Sequence, residues 1–265
     1  MPLKMPASKR QFPLHIHISV VFTLLLMLMG VALGVFSYMQ NTRIILDSSQ
    51  KLFRQIERDV QLDLLNTYQP IRNTLNLLAL HPNVPTDRFE SRLELLQPFV
   101  QALNDTPALS ALYLADNHGN FFQVRPLRDA ASRASQKAPP HAAYEAWSVQ
   151  RSGQTAGAVS QRLFFDESLT LLSQLSNPHE IYDPRARSWF IPSHSPINES
   201  TTSPYLFFST DEIGTTLSRR SSAKTMIAAD LTLSELSSTL SKHLITPNTQ
   251  IVLFDNDGQA VAYPD

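Results

Sequence analysis

The 265-residue chain has no cysteine and only seven glycines. Without cysteine it can form neither a disulfide framework nor a thiolate metal site, so an oxidising compartment is allowed but not required. Its few glycines form no phosphate cradle, and the GxGxxG, P-loop, HExxH and GxSxG patterns do not occur. The formal net charge of −1 gives no basis for a nucleic-acid-binding surface. We therefore expect no cofactor, no metal and no nucleic-acid partner.

One long segment also lacks charge, because Ile18–Tyr38 carries no charged residue in 21 positions. At about 1.5 Å per residue, a helix of this length crosses a hydrocarbon core of about 30 Å. The leader before it holds Lys4, Lys9 and Arg10 without an acid, so the positive-inside bias places the N-terminus in the cytoplasm. A cleaved signal peptide is the alternative. The apolar run is longer than the usual signal-peptide core, and no small-x-small site follows it directly.

The sequence therefore predicts a single-pass anchor in the cytoplasmic (inner) membrane over residues 15–40, behind a cytoplasmic leader over 1–14. The bulk of the chain is expected to be periplasmic or otherwise extracytoplasmic. Gly30 and Gly34 form a small-xxx-small pair, a spacing that lets two such helices approach closely. The lipid bilayer and a second copy of the chain, paired through the membrane and stalk helices, are the expected macromolecular partners.

A long helical pattern follows the anchor directly. Apolar residues recur on one helix face at Ile45, Phe53, Ile56, Val60 and Leu64. Residues 41–82 are therefore predicted to form an extracytoplasmic stalk helix, which Pro70 should bend or interrupt. Such a helix can carry a mechanical signal or serve only as a stalk, and both possibilities fit a homodimer.

Two stretches share a strand–turn–strand pattern with Asp-Asn-x-Gly in the turn. The turns are Asp116–Gly119 and Asp255–Gly258, and they lie 139 residues apart. Two such hairpins predict two tandem copies of one unit. A membrane-distal unit is expected over 83–244, and residues 245–265 are expected to begin a membrane-proximal unit that is incomplete. The chain is accordingly predicted to be a piece of a longer receptor whose output domain lies elsewhere.

Several short strands are predicted between the two hairpins. The candidates are Tyr144–Gln150, Ser160–Phe165, Leu169–Gln174, Tyr205–Ser209, Thr215–Arg219 and Thr225–Asp230, followed by a helix over Leu231–His243. Few of these strands are separated by helices, so the predicted fold class is α+β, with helices packed against an antiparallel sheet.

The segment Tyr182-Asp-Pro-Arg-Ala-Arg-Ser-Trp-Phe190 concentrates two guanidinium groups and three aromatic rings. Its Asp-Pro pair is a strong helix-opening signal. In a helix that begins there, Arg185 and Trp189 share one face. Arg187 as a bidentate fork and Trp189 as a wall are suited to a planar anion. The alternative is a capped helix whose aromatic residues pack into the core while its arginines are solvated.

A single membrane helix, a long extracytoplasmic helix, a DxxG hairpin and a YDPRxRxWF segment together resemble the double Cache family of bacterial receptor sensors. The family pattern, DPRxRPW[YF], has proline where this chain has Ser188, which should reduce local rigidity rather than alter the fold. The stretch from Tyr205 to Asp230 resembles the closing strands of the family. The resemblance covers about residues 41–265 and implies PAS-like antiparallel sheet units in tandem, the second one incomplete.

The resemblance also implies a ligand site. Double Cache sensors that recognise amino acids bind the carboxylate with an aromatic–Arg–Trp constellation and the ammonium with a downstream tyrosine and acids. The matching residues in this chain are Tyr182, Arg187, Trp189, Tyr205 and Asp230. Phe207 stands where the family has an acid, which favours a carboxylate without an amine or another small polar ligand. The sequence alone also allows Asp230 to cap the helix at Leu231.

No nucleophile–base pair or acid–base pair stands out, so no catalytic residue is assigned and the chain is not expected to be an enzyme. The predicted function is the extracytoplasmic sensor region of a membrane-bound signal transducer. Its ligand is a small anionic or zwitterionic molecule, a carboxylate or an amino-acid-like compound, held in the distal unit. A membrane-anchored periplasmic enzyme and a ligand-free structural or dimerisation module are the alternatives.

Overall fold

A computed structural model of the chain describes residues 13–86, 88–151, 157–192, 194–244, 246, 248–254, 258 and 260–262. Its longest element is a 65-residue helix, α1 (Leu14–Leu78), which contains Pro70 in its interior. Pro70 therefore does not interrupt the helix. Ile71 and Leu75 are fully buried in the turns that follow it, and packing of this kind outweighs the intrinsic cost of proline.

The chain divides into two units, Met1–Arg58 and Asp59–Asp265, with the boundary inside α1. Within the described part of the chain, α1 is the helix that is long and apolar enough to cross a membrane, with a mean hydropathy of 2.6 in its most apolar window. A signal sequence meets the same criteria, so membrane anchoring stays a prediction. The basic residues of the leader lie outside the described residues.

The second unit is built on an antiparallel sheet. Its strands are β1 (Ala111–Asp116), β2 (Phe121–Pro126), β3 (Tyr144–Arg151), β4 (Ala158–Phe165), β5 (Leu171–Glu180), β6 (Glu199–Thr201), β7 (Tyr205–Leu206), β8 (Ile213–Arg220) and β9 (Thr225–Thr232). They lie in the order β5-β4-β3-β2-β1-β9-β8-β6, and β7 pairs with β8. The short helices are α2 (Phe89–Leu93), α3 (Leu96–Asp105), α4 (Ala130–Ser135) and α5 (Leu233–Ser241). The predicted α+β class, a long apolar N-terminal helix followed by an antiparallel sheet, is confirmed.

The sheet has two different faces because successive side chains of a strand point to opposite sides. Leu112 and Phe122 belong to the face covered by α3, where the rings of Phe99 and Phe122 lie 6.3 Å apart. The opposite face carries Tyr113 and Gln123, which are register partners across β1 and β2. The second face therefore combines aromatic and polar side chains, and it carries the candidate site.

The two predicted hairpins are both present as antiparallel strand pairs. The first is β1–β2, at the centre of the large sheet, and the second is β10 (Leu253–Phe254) with β11 (Ala260–Ala262) in a separate two-stranded sheet. Gly119 and Gly258 have φ of 83° and 78°, the left-handed conformation that such turns require. Asp255 to Asp257 of the second turn lie outside the described residues. The division into two tandem units stays a prediction.

Gly214 is required where β7, β8 and β9 meet. It pairs with Tyr205 on β7 and with Thr232 on β9. A Cβ atom at this position would collide with the Leu231 carbonyl oxygen and with the Phe207 ring. We expect Gly214→Ala to lower the free energy of unfolding by about 1–3 kcal/mol, because overpacking forces both neighbours to shift. Denaturant unfolding of the purified chain measures the change.

Gly157 is the matched control for this substitution, since a Cβ there has no neighbour within 4 Å among the residues that the structure describes. Gly157→Ala should change the free energy of unfolding by no more than about 0.5 kcal/mol. Equal effects of the two alanines would contradict the tight packing of Phe207 on Gly214.

Candidate functional site

A small cavity of about 20 Å³ lies on the polar and aromatic face of the sheet. It is lined from three parts of the chain: Tyr113, Phe121, Gln123, Trp147 and Asp230 on strands, Tyr182, Arg187 and Trp189 on the loop after β5, and Tyr205, Phe207, Phe208 and Ser209 at β7 and the turn after it. The structure thus brings together all five residues that the sequence singled out for ligand binding. Whether they bind a ligand stays a prediction.

The loop after β5 differs from the predicted helix. One turn of 3-10 helix, Pro184–Ala186, is followed by Arg187 in an extended conformation. Asp183 does cap this turn, since its Oδ1 accepts a hydrogen bond of 3.0 Å from the Arg185 backbone amide. The expected helical face shared by Arg185 and Trp189 is therefore wrong. The chain leaves the helical path because Trp189 is buried, and burying an indole outweighs local helix propensity.

The aromatic rings of the site form one connected cluster. The Trp189 ring centroid lies 4.8 Å from that of Tyr113, and the Tyr182 ring lies 4.8 Å from Phe121 and 4.9 Å from Trp147. Edge and tilted contacts of this kind each add about 0.5–1.5 kcal/mol beyond simple burial. The cluster therefore fixes the walls of the cavity before any ligand arrives.

Arg187 is held in this cluster, and no acid in the described part of the chain forms an ion pair with it. Its guanidinium carbon lies 5.0 Å from the Tyr182 ring centroid and 4.6 Å from that of Phe208. Its Nε is buried and has no hydrogen-bond partner among the described residues. Arg185, by contrast, donates to both carboxylate oxygens of Asp183 at 2.9 and 2.7 Å and is exposed. Ring faces attract a cation but accept no hydrogen bond in the guanidinium plane, so the Arg187 fork remains available to a planar anion.

Asp230 supplies a carboxyl group to the same cavity. Its Oδ1 accepts hydrogen bonds from the Tyr113 hydroxyl at 2.6 Å and the Thr216 hydroxyl at 2.5 Å. Because the Thr216 proton is used in this way, Tyr205 donates its own hydroxyl proton to Thr216 Oγ1 over 2.7 Å. Burial raises the pKa of Asp230 to about 6, although the two hydroxyl donors lower it in part. Asp230 is thus a carboxyl group that can change its charge near neutral pH.

The alternative role of Asp230 as a helix cap is wrong. Asp230 lies within β9, opposite Thr216 on β8. The cap of α5 is Thr232, whose Oγ1 accepts a hydrogen bond of 3.4 Å from the Glu235 backbone amide. Strand β9 continues for two residues past Asp230, and Leu231 is fully buried within it. Because successive side chains of a strand point to opposite faces, Leu231 points to the core and Asp230 points to the site.

Several lining residues were not found from the sequence. Tyr113 and Phe121 belong to the first hairpin and Phe208 to the stretch that resembles the closing strands. The sequence motif assigns no role in ligand binding to these three residues or to Trp147. The signal was present in the two-residue alternation of the strands, because Gln123 pairs with Tyr113 on one side and Trp147 on the other. Trp147 Nε1 is a second buried donor without a hydrogen-bond partner among the described residues. The cavity therefore has more donors than the sequence motif indicated.

No family model matches the chain. A curated relative, adenylate cyclase 1 of Rhizobium meliloti (strain 1021), is 25% identical to it over 183 residues, which are 68% of this chain and 27% of the relative. The chain thus matches about a quarter of the length of that relative.

Two solved structures represent the structural likeness. The ligand-binding domain of the Campylobacter jejuni chemoreceptor Tlp3, in complex with L-valine, has a TM-score of 0.49 and 14% identity, covering 81% of this chain and 71% of that one. The ligand-binding domain of the Pseudomonas fluorescens chemoreceptor CtaA, in complex with L-alanine, has a TM-score of 0.44 and 18% identity, covering 79% and 68%. The ligands named are those of the compared proteins.

Ionisation of Asp230 should destabilise the fold. Its folded-state pKa of about 6 lies above the ordinary aspartate value of 3.8, so the folded chain binds this proton more tightly than the unfolded chain does. Stability from this group is complete below about pH 4 and is lost as the pH rises through about 6. Asp230→Asn keeps an acceptor for both hydroxyls but cannot ionise. We expect the variant to gain up to about 3 kcal/mol relative to wild type between pH 4 and pH 7, measured by denaturant unfolding.

Asp129→Asn serves as the control with the opposite sign. Hydrogen bonds from Ser132 lower the pKa of Asp129, so its stabilising effect is present above the unfolded pKa and is lost as the pH falls. The advantage of wild type over Asp129→Asn should therefore grow with rising pH. A flat or inverted difference for Asp230→Asn would mean that Asp230 stays charged at no cost.

Proposed function

We propose that this chain is the extracytoplasmic sensor region of a membrane-anchored signal transducer, and that it binds a small carboxylate in the aromatic cavity. The observation that carries the proposal is the Arg187 guanidinium, which lines the cavity without an acid and has a buried Nε with no partner among the described residues. A buried donor without an acceptor is costly, so a carboxylate ligand relieves this cost. The proposed role is binding and not catalysis.

Each residue of the site has a distinct proposed role. Arg187 receives the carboxylate as a bidentate fork, while Tyr182 and Trp189 form its walls. Tyr205 and Asp230 form the polar end of the site. The Tyr205 hydroxyl is hydrogen-bonded to the Thr216 hydroxyl, which in turn donates to the Asp230 carboxyl group. An amine on the ligand gains from Asp230 only when that group is ionised, above about pH 6.

Ligand entry requires the cavity to expand. A volume of about 20 Å³ is close to what one water molecule occupies. Among the rings around Arg187, that of Tyr182 is buried, whereas Phe208 is 41% exposed. Phe208 also lies on the turn after β7, where Asp211 has a positive φ of 56°. In the proposed mechanism, Phe208 therefore moves aside when the carboxylate enters, and its displacement is the first structural consequence of binding.

The wider role rests on features outside the site. The similarity to part of an adenylate cyclase supports a place in signal transduction, and the apolar part of α1 supports a membrane anchor. The YDPRxRxWF segment supports the double Cache resemblance. A second copy of the chain is the proposed partner of the membrane helix, because Gly30 and Gly34 form a small-xxx-small pair that lets two helices approach closely.

Replacing Arg187 should abolish carboxylate binding. Truncating one partner of a buried charge-assisted pair costs about 2–5 kcal/mol, so Arg187→Ala should weaken affinity by roughly thirtyfold or more. Both tryptophans of the chain, Trp147 and Trp189, line the cavity. Titration of intrinsic tryptophan fluorescence with succinate, using the full chain in detergent, therefore reports directly on this site.

Arg185→Ala is the matched control. Its guanidinium forms an exposed pair with Asp183, and exposed pairs contribute about 0–1 kcal/mol. The variant should bind succinate within about fivefold of wild type. Equal losses for the two arginines would identify the segment as structural only.

A further inference from the structure

A second and larger cavity adjoins the aromatic one. Its volume is about 480 Å³, and it shares four lining residues with the small cavity: Gln123, Phe207, Ser209 and Asp230. The Phe207 side chain is buried and packs against Gly214. The two cavities are therefore neighbouring compartments with these side chains between them.

Strand β2 runs from one compartment to the other. Phe121 lines only the small cavity, Gln123 lines both, and Arg125 lines only the large one. Alternate residues on a strand share one face and are separated by about 6.8 Å. Arg125 is thus one step beyond the wall that closes the aromatic cavity.

A small side chain, Ala111, lines the larger compartment. Ala111 is the register partner of Asp230 across β1 and β9, and both residues line this compartment. A methyl group fills little of the space above the strand. A ligand group that passes the wall at Phe207 has room here.

Arg125 brings a buried positive charge to this compartment. Its side chain is 5% exposed, and its Nε lies 3.1 Å from Glu145 Oε2 in a geometry that leaves both atoms without a hydrogen bond among the described residues. The other Glu145 oxygen accepts from Arg162 at 2.9 Å. One buried acid is therefore shared by two guanidinium groups. Arg125 Nη2 donates to the neutral Gln123 Oε1 at 2.8 Å, and Nη1 has only a marginal contact of 3.5 Å with the Ser209 carbonyl. The two guanidinium groups therefore exceed the one acid that they share by one positive charge.

Four acids line this compartment, and the buried one, Asp230, attracts Arg125 but forms no ion pair with it among the described residues, because its Oδ1 accepts from two hydroxyl groups instead. Asp129, Glu212 and Glu235 line it but are exposed, and water and salt screen exposed charges strongly. Arg125 is buried, where a counter-charge has a much larger effect. An anionic group therefore gains most beside Arg125.

We propose that the two compartments form one ligand site for molecules with two carboxylates, the first bound by Arg187 and the second by Arg125. This inference rests on the proposed function and adds a requirement for a second anionic group. Phe207 and Gln123 lie between the two compartments. The hydrocarbon chain of the ligand passes these two side chains and joins the carboxylate at Arg187 to the carboxylate at Arg125. The shared chemistry is found both in aliphatic dicarboxylates and in acidic amino acids, and the presence of an amine distinguishes them.

The test compares matched ligands on the full chain in detergent by tryptophan fluorescence. Succinate and glutarate should bind about tenfold or more tightly than butyrate and valerate, their monocarboxylate counterparts. Glutamate should likewise exceed glutamine, which is isosteric but lacks the second charge. Glutarate against glutamate then shows whether the amine contributes. Equal affinities within the matched pairs would overturn the inference even if every ligand binds.

Two variants assign the second carboxylate to its compartment. Arg125→Gln should reduce the preference for succinate over butyrate to about one, while butyrate binding stays within about threefold of wild type. Retention of butyrate binding also shows that the variant is folded. Ala111→Val leaves the charges untouched but adds two methyl groups to the lining of the larger compartment, and it should reduce the same preference. It decides the question if Arg125→Gln fails to fold.

The outcomes separate the two proposals. Persistence of the preference in Ala111→Val, or in a folded Arg125→Gln, would overturn the two-carboxylate site while leaving carboxylate binding at Arg187 intact. A wild-type chain that binds neither succinate nor butyrate would contradict the proposed function, and the inference that rests on it would fall as well.

Discussion

The two-residue period of the central strands decides which side chains meet in this protein. On β1 and β2 it sends Leu112 and Phe122 towards α3 and sends Tyr113 and Gln123 to the other face. The register of β8 and β9 places Thr216 opposite Asp230 on that second face. A shift of one residue in β9 would turn the Asp230 carboxyl group to the apolar face, and the same shift in β8 would turn Thr216 there. The polar site and the hydrophobic core therefore depend on the same strand register, and the loop after β5 then covers the face that remains.

The charged side chains on the site face of the sheet are placed where they lower the free energy of unfolding. Arg187 is enclosed by aromatic rings and has no ion pair in the described part of the chain, and Arg125 shares Glu145 with Arg162. Asp230 receives two hydroxyl donors but no cation within ion-pair distance among the described residues. Groups buried in this way oppose folding, because desolvation exceeds what their present partners return. A ligand with complementary charge would offset that cost, which is the physical reason for interpreting the face as a binding site.

The sequence predicted local patterns better than long-range ones. The first hairpin and the strands around Trp147 and Leu217 follow alternation and turn chemistry, and the structure has them within a few residues. The helix expected from Pro184 is limited to one turn, because the chain leaves the helix so that Trp189 can be buried. The strands that bury Trp189 are distant in the sequence, so the residues near Pro184 do not reveal them. Asp230 was open to interpretation as a cap until the β8–β9 register placed it opposite Thr216. The contribution of Trp147 to the site likewise depends on strand pairing.

The central claim is that Arg187 receives a carboxylate, and a high-resolution structure of the full chain with bound succinate tests it most directly. We expect one carboxylate in the plane of the Arg187 guanidinium, with N–O distances of about 2.7–2.9 Å. We also expect the Phe208 ring to move away from its position 4.6 Å from the guanidinium carbon. A ligand bound elsewhere while Arg187 keeps both of its ring contacts would contradict the account.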